Sequence, residues 1–399
     1  MKSYQLQELV EISGGGTPNR KVPEYWNGNI PWVTVKDFKG AWLVSSMDSI
    51  TDAGLANSAS KLIPSGTVIV PTRMALGKAA INTVDVAINQ DLKALKVKDP
   101  AKLNRDYLFR FVMNKAEYFE SKGKGATVKG ITLDVLKELP VTLPPLEEQK
   151  RIAAILDKAD EIRRKRQQAI ELADQFLKSV FLDMFGDPAT NPLGWPLKEL
   201  QELAIDKDGI KCGPFGTQLN KAEFTTFGVP LWGIKHVNRH FGFETNEFIS
   251  HEKAVQLSGY SLIPDDIVMT RKGTVGNASV YPAAFPLGMM HSDLLRVRLN
   301  QGVCKPAFLS YQLRISRDIG RQIQMVSSGA IMAGINVSKL KSIQVLVPPL
   351  ALQAKFVALS DAVFSHTLRY RDHSSGIDSL LGSLAQRAFK GELTSAVPA

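Results

Sequence analysis

The stretch LPPLEEQKRIAAILDKADEI, starting at Leu143, returns in altered form as VPPLALQAKFVALSDAVF from Val347. Pro144 and Pro348, Gln149 and Gln353, Leu177 and Leu381, and Phe185 and Phe389 are each 204 positions apart. Such a period is an internal repeat, so the chain is expected to fold as two similar units rather than around one continuous core. Each unit opens with short apolar runs between glycine and proline turns and closes on one long helical pattern.

Pro145 and Pro349 stand at helix starts, where a missing N–H costs nothing, and Glu147 and Glu148 suit the positive end of the helix dipole. Ile152, Ile155, Ala159, Ile162, Ala169, Ala173, Phe176 and Val180 recur at three-four spacing, which predicts an amphipathic rod of roughly 60 Å. The second stripe runs through Leu350, Phe356, Val357, Val363, Phe364, Leu368, Leu380, Leu381, Leu384 and Phe389, with HSSG and Gly376 expected to weaken or kink its middle. A narrow stripe on so long a helix calls for a helical partner. The two helices are therefore predicted to pair antiparallel, packing through Ile152, Ile155, Ile162, Phe176, Phe356, Val363 and Leu381.

The fold class that follows is α+β. Two tandem mixed α/β domains, residues 1–143 and 187–347, are separated by two long antiparallel coiled-coil helices, in spacers 144–186 and 348–399, with pseudo-two-fold symmetry. The repeat offset stays at 204 through the helices, but it is 200 between Leu62 and Leu262 and 191 between Leu6 and Leu197. Loops absorb insertions, whereas each residue added to a helix rotates everything beyond it, so the helices act as a ruler.

The N-terminus, MKSYQLQELVEISGGG, has no apolar run like a secretory signal, and no stretch is long enough to span a membrane, so a cytoplasmic chain without a membrane partner is expected. Cys212 and Cys304, the only cysteines, read as reduced, buried small residues. The net charge of +10 divides into +5 over residues 1–145 and +4 over 187–349, with 146–186 balanced, so the two globular halves are the candidates for an anionic partner. Arg163, Arg164, Lys165 and Arg166 follow Asp157, Asp160 and Glu161, and read as a solvated face with local ion pairs.

Within the halves, IPWVTVKDF from Ile30 and VPLWGIKHV from Val229 each predict a strand with a buried Trp32 or Trp232 and with Lys36 or Lys235 toward its end. LIPSGTVIVPTRMALGKAAI and LIPDDIVMTRKGTVGNASV place Arg73 and Arg271 on hairpin tips, with Lys78, Lys272 and Asn277 nearby. Arginine forks onto a guanine edge or a phosphate and asparagine onto adenine, so these are candidate DNA contacts. The loops SGGGTPNR and CGPFGTQL either let backbone approach a duplex or are turns that chain geometry requires. Lys122, Lys124 and Lys129 in KGKGATVKG, and Ser327 and Ser328 in SSGAIMAGIN, are further candidates on glycine-rich loops.

Catalytic machinery is not found. There is no G-x-x-x-x-G-K-[ST] loop, and Gly14 to Gly16 lack the spacing of a dinucleotide fingerprint. The nearest match to an adenine-methyltransferase Asn-Pro-Pro-Tyr element is NPLGW at Asn191. His236 and His240 lie in a strand-like stretch without a second liganding pair, so neither a metal site nor a catalytic residue is expected.

The alternation of a globular region with LPPLEEQKRIAAILDKADEI…AIELADQFLKSVFLDMFGD resembles the DNA-specificity subunit of type I restriction-modification enzymes. The resemblance covers nearly the whole chain, including SGGGTPNR…YWNGNIPWV, GPFGTQL and the closing AQRAFKGEL at Ala385. It implies two target recognition domains, each reading one half of an interrupted asymmetric sequence in double-stranded DNA, joined by helices that set the gap. It implies no enzymatic activity and no cofactor in this chain. The partners implied are two adenine-N6 methyltransferase subunits, which use S-adenosylmethionine, and in the complete complex two restriction subunits that use ATP and Mg. The second helix departs from the pattern, with Ala351 and Leu352 in place of Glu147 and Glu148. Two other readings stand beside this one: a coiled-coil scaffold that binds only proteins, and a stand-alone DNA-modifying enzyme.

Overall fold

The computed structural model describes residues 2–125, 128–215, 217–316, 319–323, 335, 337–390 and 392, with the side chains of 339, 368–381 and 390 left aside. Ser327 and Ser328, and the side chain of Leu381, therefore lie outside the described residues. The chain forms two compact units, Met1–Lys165 with Ser374–Ala399, and Arg166–His373.

In the first unit a five-stranded sheet runs in the order Val10–Gly14, Leu92–Val97, Val68–Pro71, Ala80–Asn82, Trp42–Leu43, antiparallel except for the last pair. A four-stranded sheet runs Asp48–Ile50, Trp26–Val33, Val86–Ile88, Leu62–Ile63, with its central pair parallel. Val68 and Val70 face the core that holds Tyr107 and Phe111, while Ile69 faces the one that holds Val33 and Ile88. Covered on both faces, that strand reads as a continuous apolar run instead of an alternating one.

The second unit repeats the plan. Its four-stranded sheet is Ile210–Cys212, Leu294–Val297, Ile267–Thr270, Ala278–Val280, all antiparallel. The other sheet is Phe224–Thr225, Phe248–Ile249, Val229–Trp232, Gly288–Met290, Ser261–Leu262, again with a parallel pair in the middle. Each unit also has a two-stranded ribbon, Lys2–Gln5 with Pro140–Leu143 and Leu197–Glu199 with Gln344–Leu346, whose second strand leads into a long helix.

The long helices span Leu146–Phe185 and Leu350–Lys390, 40 and 41 residues. Each begins just after its proline pair, with Gln149 N donating to Pro145 O at 3.0 Å and Gln353 N to Pro349 O at 3.1 Å. The side chain of Gln149, 1% exposed, donates to Lys102 O and Pro144 O and accepts from Asn104 N. Gln353, fully buried, does the same with Val303 O, Pro348 O and Lys305 N. These bonds are the physical content of the Pro-Pro-Leu-x-x-Gln motif. A buried amide is tolerable only when its groups are satisfied, and here it locks each helix start to the loop before a core helix of its unit, Arg105–Met113 or Pro306–Ile315.

Opposite helix ends share each core. In the first unit Ile152 and Leu156 from the first helix join Ala388 and Phe389 from the end of the second, the Phe389 ring lying 5.4 Å from both Tyr107 and Phe111. In the second unit Leu177, Phe181 and Phe185 join Phe356, with Phe181 edge-on to Phe356 at 5.3 Å. Start meets end in both, as helices running in opposite directions require. Arg110 fastens the first helix from the side, donating to Asp157 at 2.6 Å and lying 3.6 Å from Asp160.

The packing stripe needs correction. Ile152 and Phe356 are buried, and Ile155 and Val363 half-buried, but Ile162 and Phe176 are 40% and 50% exposed. The helix ends pack against the globular cores, which select Ile152 and Leu156 and then Leu177, Phe181 and Phe185 at steps of four, while Ile162 and Phe176 lie off that face. The second helix also runs unbroken through Gly376, where a weakened or kinked middle was expected. Among the described residues no helix is long and apolar enough to cross a membrane.

Candidate nucleic-acid interface

One end of both sheets in the first unit is a rim of loops joined by backbone hydrogen bonds. Gly16 N donates to Ile88 O at 3.0 Å, Asn89 N to Val33 O at 3.1 Å, Thr72 N to Asp91 O at 2.7 Å, and Ile131 N to Thr72 O at 2.9 Å. Met74 N donates to Lys129 O at 3.3 Å, and Lys124 and Gly130 exchange two bonds of 2.9 Å. The glycine loop, the strand-to-strand turn at Asn89–Asp91, the hairpin tip and the KGKGATVKG loop thus form one continuous edge. Two groups of candidates that are far apart in sequence, Arg73 with Lys78 and Lys122 with Lys124 and Lys129, share it.

All five of these basic residues are exposed. Arg73 lies 3.8 Å from Asp91, and Lys122 stands over the Tyr118 ring at 5.9 Å. Met74, Leu76, Glu120, Val128 and Lys129 line a recess of about 340 Å³ beside them. Lys36 is exposed too, but in a helical turn, Val35–Asp37, just past the strand. Thr34 caps that turn, so its side chain leaves the sheet instead of continuing it.

The second unit builds the same rim. His291 N donates to Trp232 O at 2.9 Å, Arg271 N to Asp293 O at 2.8 Å, and Ile335 N to Arg271 O at 3.3 Å. Arg271 Nε returns a bond to Ile335 O, and its guanidinium lies 5.5 Å from the centre of the exposed Phe215 ring. Lys272 pairs with Asp293 at 3.0 Å. Lys235 reaches Asn246 Oδ1 at 3.4 Å, and Asn277 bonds Asn238.

Comparing the rims shifts one pairing. Arg73 and Arg271 align by sequence, but the bonds from Thr72 N and Arg271 N to the two aspartate carbonyls make Thr72 the counterpart of Arg271, and Arg73 that of Lys272. The cation facing the rim aspartate is thus Arg73 in one unit and Lys272 in the other. A second correction concerns IKHVNRH. The strand ends at Trp232, and Ile234–Asn238 is a short helix.

The glycine question has a plain answer at two positions. A Cβ on Gly15 would overlap the carbonyl oxygen of Ile88, and one on Gly213 that of His291. Both glycines are required by the chain's own close packing under the rim.

Several contributors escaped sequence reasoning. Arg20, in the first glycine loop, stacks over Trp26 at 4.5 Å and Trp32 at 5.4 Å and pairs with Asp48 at 3.1 Å. Lys93 is spent inside the rim, donating to Gln90 O and Leu92 O, and burial holds its pKa below the usual lysine value despite Asp91 nearby. Asp91 and Asp293, which organise the tips, carry no motif signal, although their 202-residue spacing falls between the repeat's offsets of 200 and 204.

His236 and His240 do not converge on a metal. His236 Nδ1 accepts from Gly233 N, its ring is packed between Trp232 and Phe243, and burial with the charge of Lys235 lowers its pKa to about 4. His240 meets Ser279 and Arg314 instead. Three cations of the basic run on the first helix are paired locally, Arg163 and Arg164 with Asp160 and Lys165 with Glu161, whose carboxyl is held down to about 2 by Lys165 and Lys158. Both cysteines have free thiols, and burial pushes that of Cys304 up to about 12.

A family model described as "Type I restriction modification DNA specificity domain" matches residues 1–172. The specificity subunit of type I restriction enzyme MjaIX from Methanocaldococcus jannaschii is 22% identical, the alignment covering 98% of this chain and 92% of that one. The EcoR124I/EcoR124II specificity subunit of Escherichia coli is 32% identical over 162 residues, 39% of this chain and 40% of that one. Among solved structures, the S subunit of a type I restriction-modification system from M. genitalium superposes with a TM-score of 0.63 at 17% identity, covering 97% and 96% of the two chains.

Proposed function

We propose that the chain is a specificity subunit of the type I restriction-modification family, as its matches suggest, and that it directs a methyltransferase to one bipartite DNA sequence, each loop rim reading one half-site. The chain is a non-catalytic specificity subunit. The observation that carries the two-half-site reading is the rim itself, built twice on the same strand ends with different side chains at its tips. A duplicated scaffold with divergent tips suits an asymmetric site, because backbone position is shared while base-edge chemistry is not.

On this reading residues 1–143 and 187–347 are the recognition domains, and the helices within 144–186 and 348–399 set the gap and dock two adenine-N6 methyltransferase subunits. Lys36, Arg73, Lys78, Lys122, Lys124 and Lys129 meet DNA from the first rim, and Lys235, Arg271, Lys272 and Asn277 from the second. Ser327 and Ser328, outside the described residues, are proposed as DNA contacts from their place in the sequence repeat alone. S-adenosylmethionine, and the ATP and Mg of any restriction subunits, would be held by the partners.

The test is a base-resolution map of N6-methyladenine in host DNA with the gene intact and deleted. Loss of one interrupted, asymmetric motif on deletion is the expected result. An unchanged map, together with no sequence preference in duplex binding by the purified chain, would overturn the proposal.

A further inference from the structure

We propose that Asn277, oriented by Asn238, reads the major-groove edge of an adenine in the half-site bound by the second unit. The inference rests on the reading of the chain as a DNA-specificity subunit and names one base-reading group within it.

The two hairpin tips share one backbone. Met74 and Gly273 have φ of 64° and 67°, and Gly77 and Gly276 have φ of 80° and 91°. Lys78 N donates to Ala75 O at 3.1 Å, and Asn277 N to Thr274 O at 3.3 Å, so Asn277 occupies the place of Lys78. The neighbouring turns also correspond. Thr34 N donates to the Asp37 side chain at 2.7 Å and Gly233 N to that of His236 at 3.0 Å, which puts Asn238 at the place of Lys39. Two exposed lysines in one unit are thus two exposed asparagines in the other.

The asparagines are organised. Asn238 Oδ1 accepts from Asn277 Nδ2 at 3.0 Å and from Thr274 Oγ1 at 2.9 Å. This bond uses one of the two N–H groups of Asn277, restrains the plane of its amide, and leaves the other N–H and Oδ1 for a ligand. Among the described residues nothing else bonds that side chain. A donor next to an acceptor in one plane matches adenine, whose N7 accepts and whose N6 amino group donates. Guanine presents two acceptors, cytosine a donor alone, and thymine an acceptor beside a methyl group, so none of them takes both bonds. The lysines of the first tip carry donors only and fit guanine or phosphate, so the adenine reader belongs to one half-site.

The test is selection of bound sequences from a pool of random duplexes by the full chain and its N277A, N277K, N238L and N238D variants. The wild-type chain is expected to enrich an interrupted motif. In N277A, N277K and N238L the enrichment of one adenine in one half falls about ten-fold while the other half is unchanged and reports an intact fold. N238D keeps the acceptor that holds Asn277 and retains the adenine, which a merely structural role for Asn238 would not predict. An adenine kept at full enrichment by N277A, or equal loss from both halves in N277A and N277K, would overturn the assignment. If the wild-type chain enriches no motif, the specificity reading itself fails and the assignment with it.

Discussion

Gln149 accepts the backbone N–H of Asn104 at 2.8 Å, and Gln353 accepts that of Lys305 at the same distance. Each amide also donates to two carbonyls, so Gln149→Leu strips three backbone groups, one buried and two part-buried, of their partner at once. We expect it to destabilise the first unit by about 2–3 kcal/mol, read as a lower denaturant midpoint. A change below about half a kcal/mol would show that the helix start is held by packing alone.

In the second unit, Arg298 forks onto Asp266, two bonds of 2.7 Å with the carboxylate 1% exposed. The pairing raises the pKa of Arg298. Arg298→Met leaves an uncompensated buried carboxylate and should cost about 3–5 kcal/mol, whereas adding Asp266→Leu should restore much of the loss. A double-mutant cycle on unfolding free energies checks this, and purely additive effects would contradict it.

His236 is held neutral in its pocket, with a pKa of about 4 in place of 6.5. Between those values the unfolded chain binds a proton that the folded chain refuses, so stability falls as the pH drops through that window. The slope due to this residue is at most about 1.4 kcal/mol per pH unit. His236→Asn should flatten the pH dependence of the unfolding midpoint between pH 6.5 and 4, and an unaltered slope would show that His236 does not titrate differently on folding.

Lys124 and Lys129 sit on the loop that backbone bonds tie to the Arg73 tip. If both neutralise phosphates, Lys124→Ala and Lys129→Ala should each lower the salt slope of duplex binding by about 1 and weaken all sequences alike. Altered base preference without a change in slope would assign them to base edges instead.

The repeat, the paired helices and the hairpin tips were legible because each rests on chain-local signals: a fixed offset, a three-four period, a glycine turn between apolar runs. The helix contact row was misread at Ile162 and Phe176, since periodicity reports every apolar side chain and not the direction from which a core approaches. The match of Arg73 with Lys272 was hidden because identical letters aligned first, and only the backbone bonds to Asp91 and Asp293 show the true register. Arg20 gave no warning, because its tryptophan partners come from a strand that the sequence alone does not bring beneath it.

The sharing of helix ends has a consequence in time. The first unit is mostly built from residues that leave the ribosome early, yet Ala388 and Phe389, which fill its core, emerge only after all of Arg166–His373. The nascent first half must therefore wait with the Tyr107 and Phe111 rings short of their final cover while the second half is translated. A premature stop late in the message would damage the half that was made first.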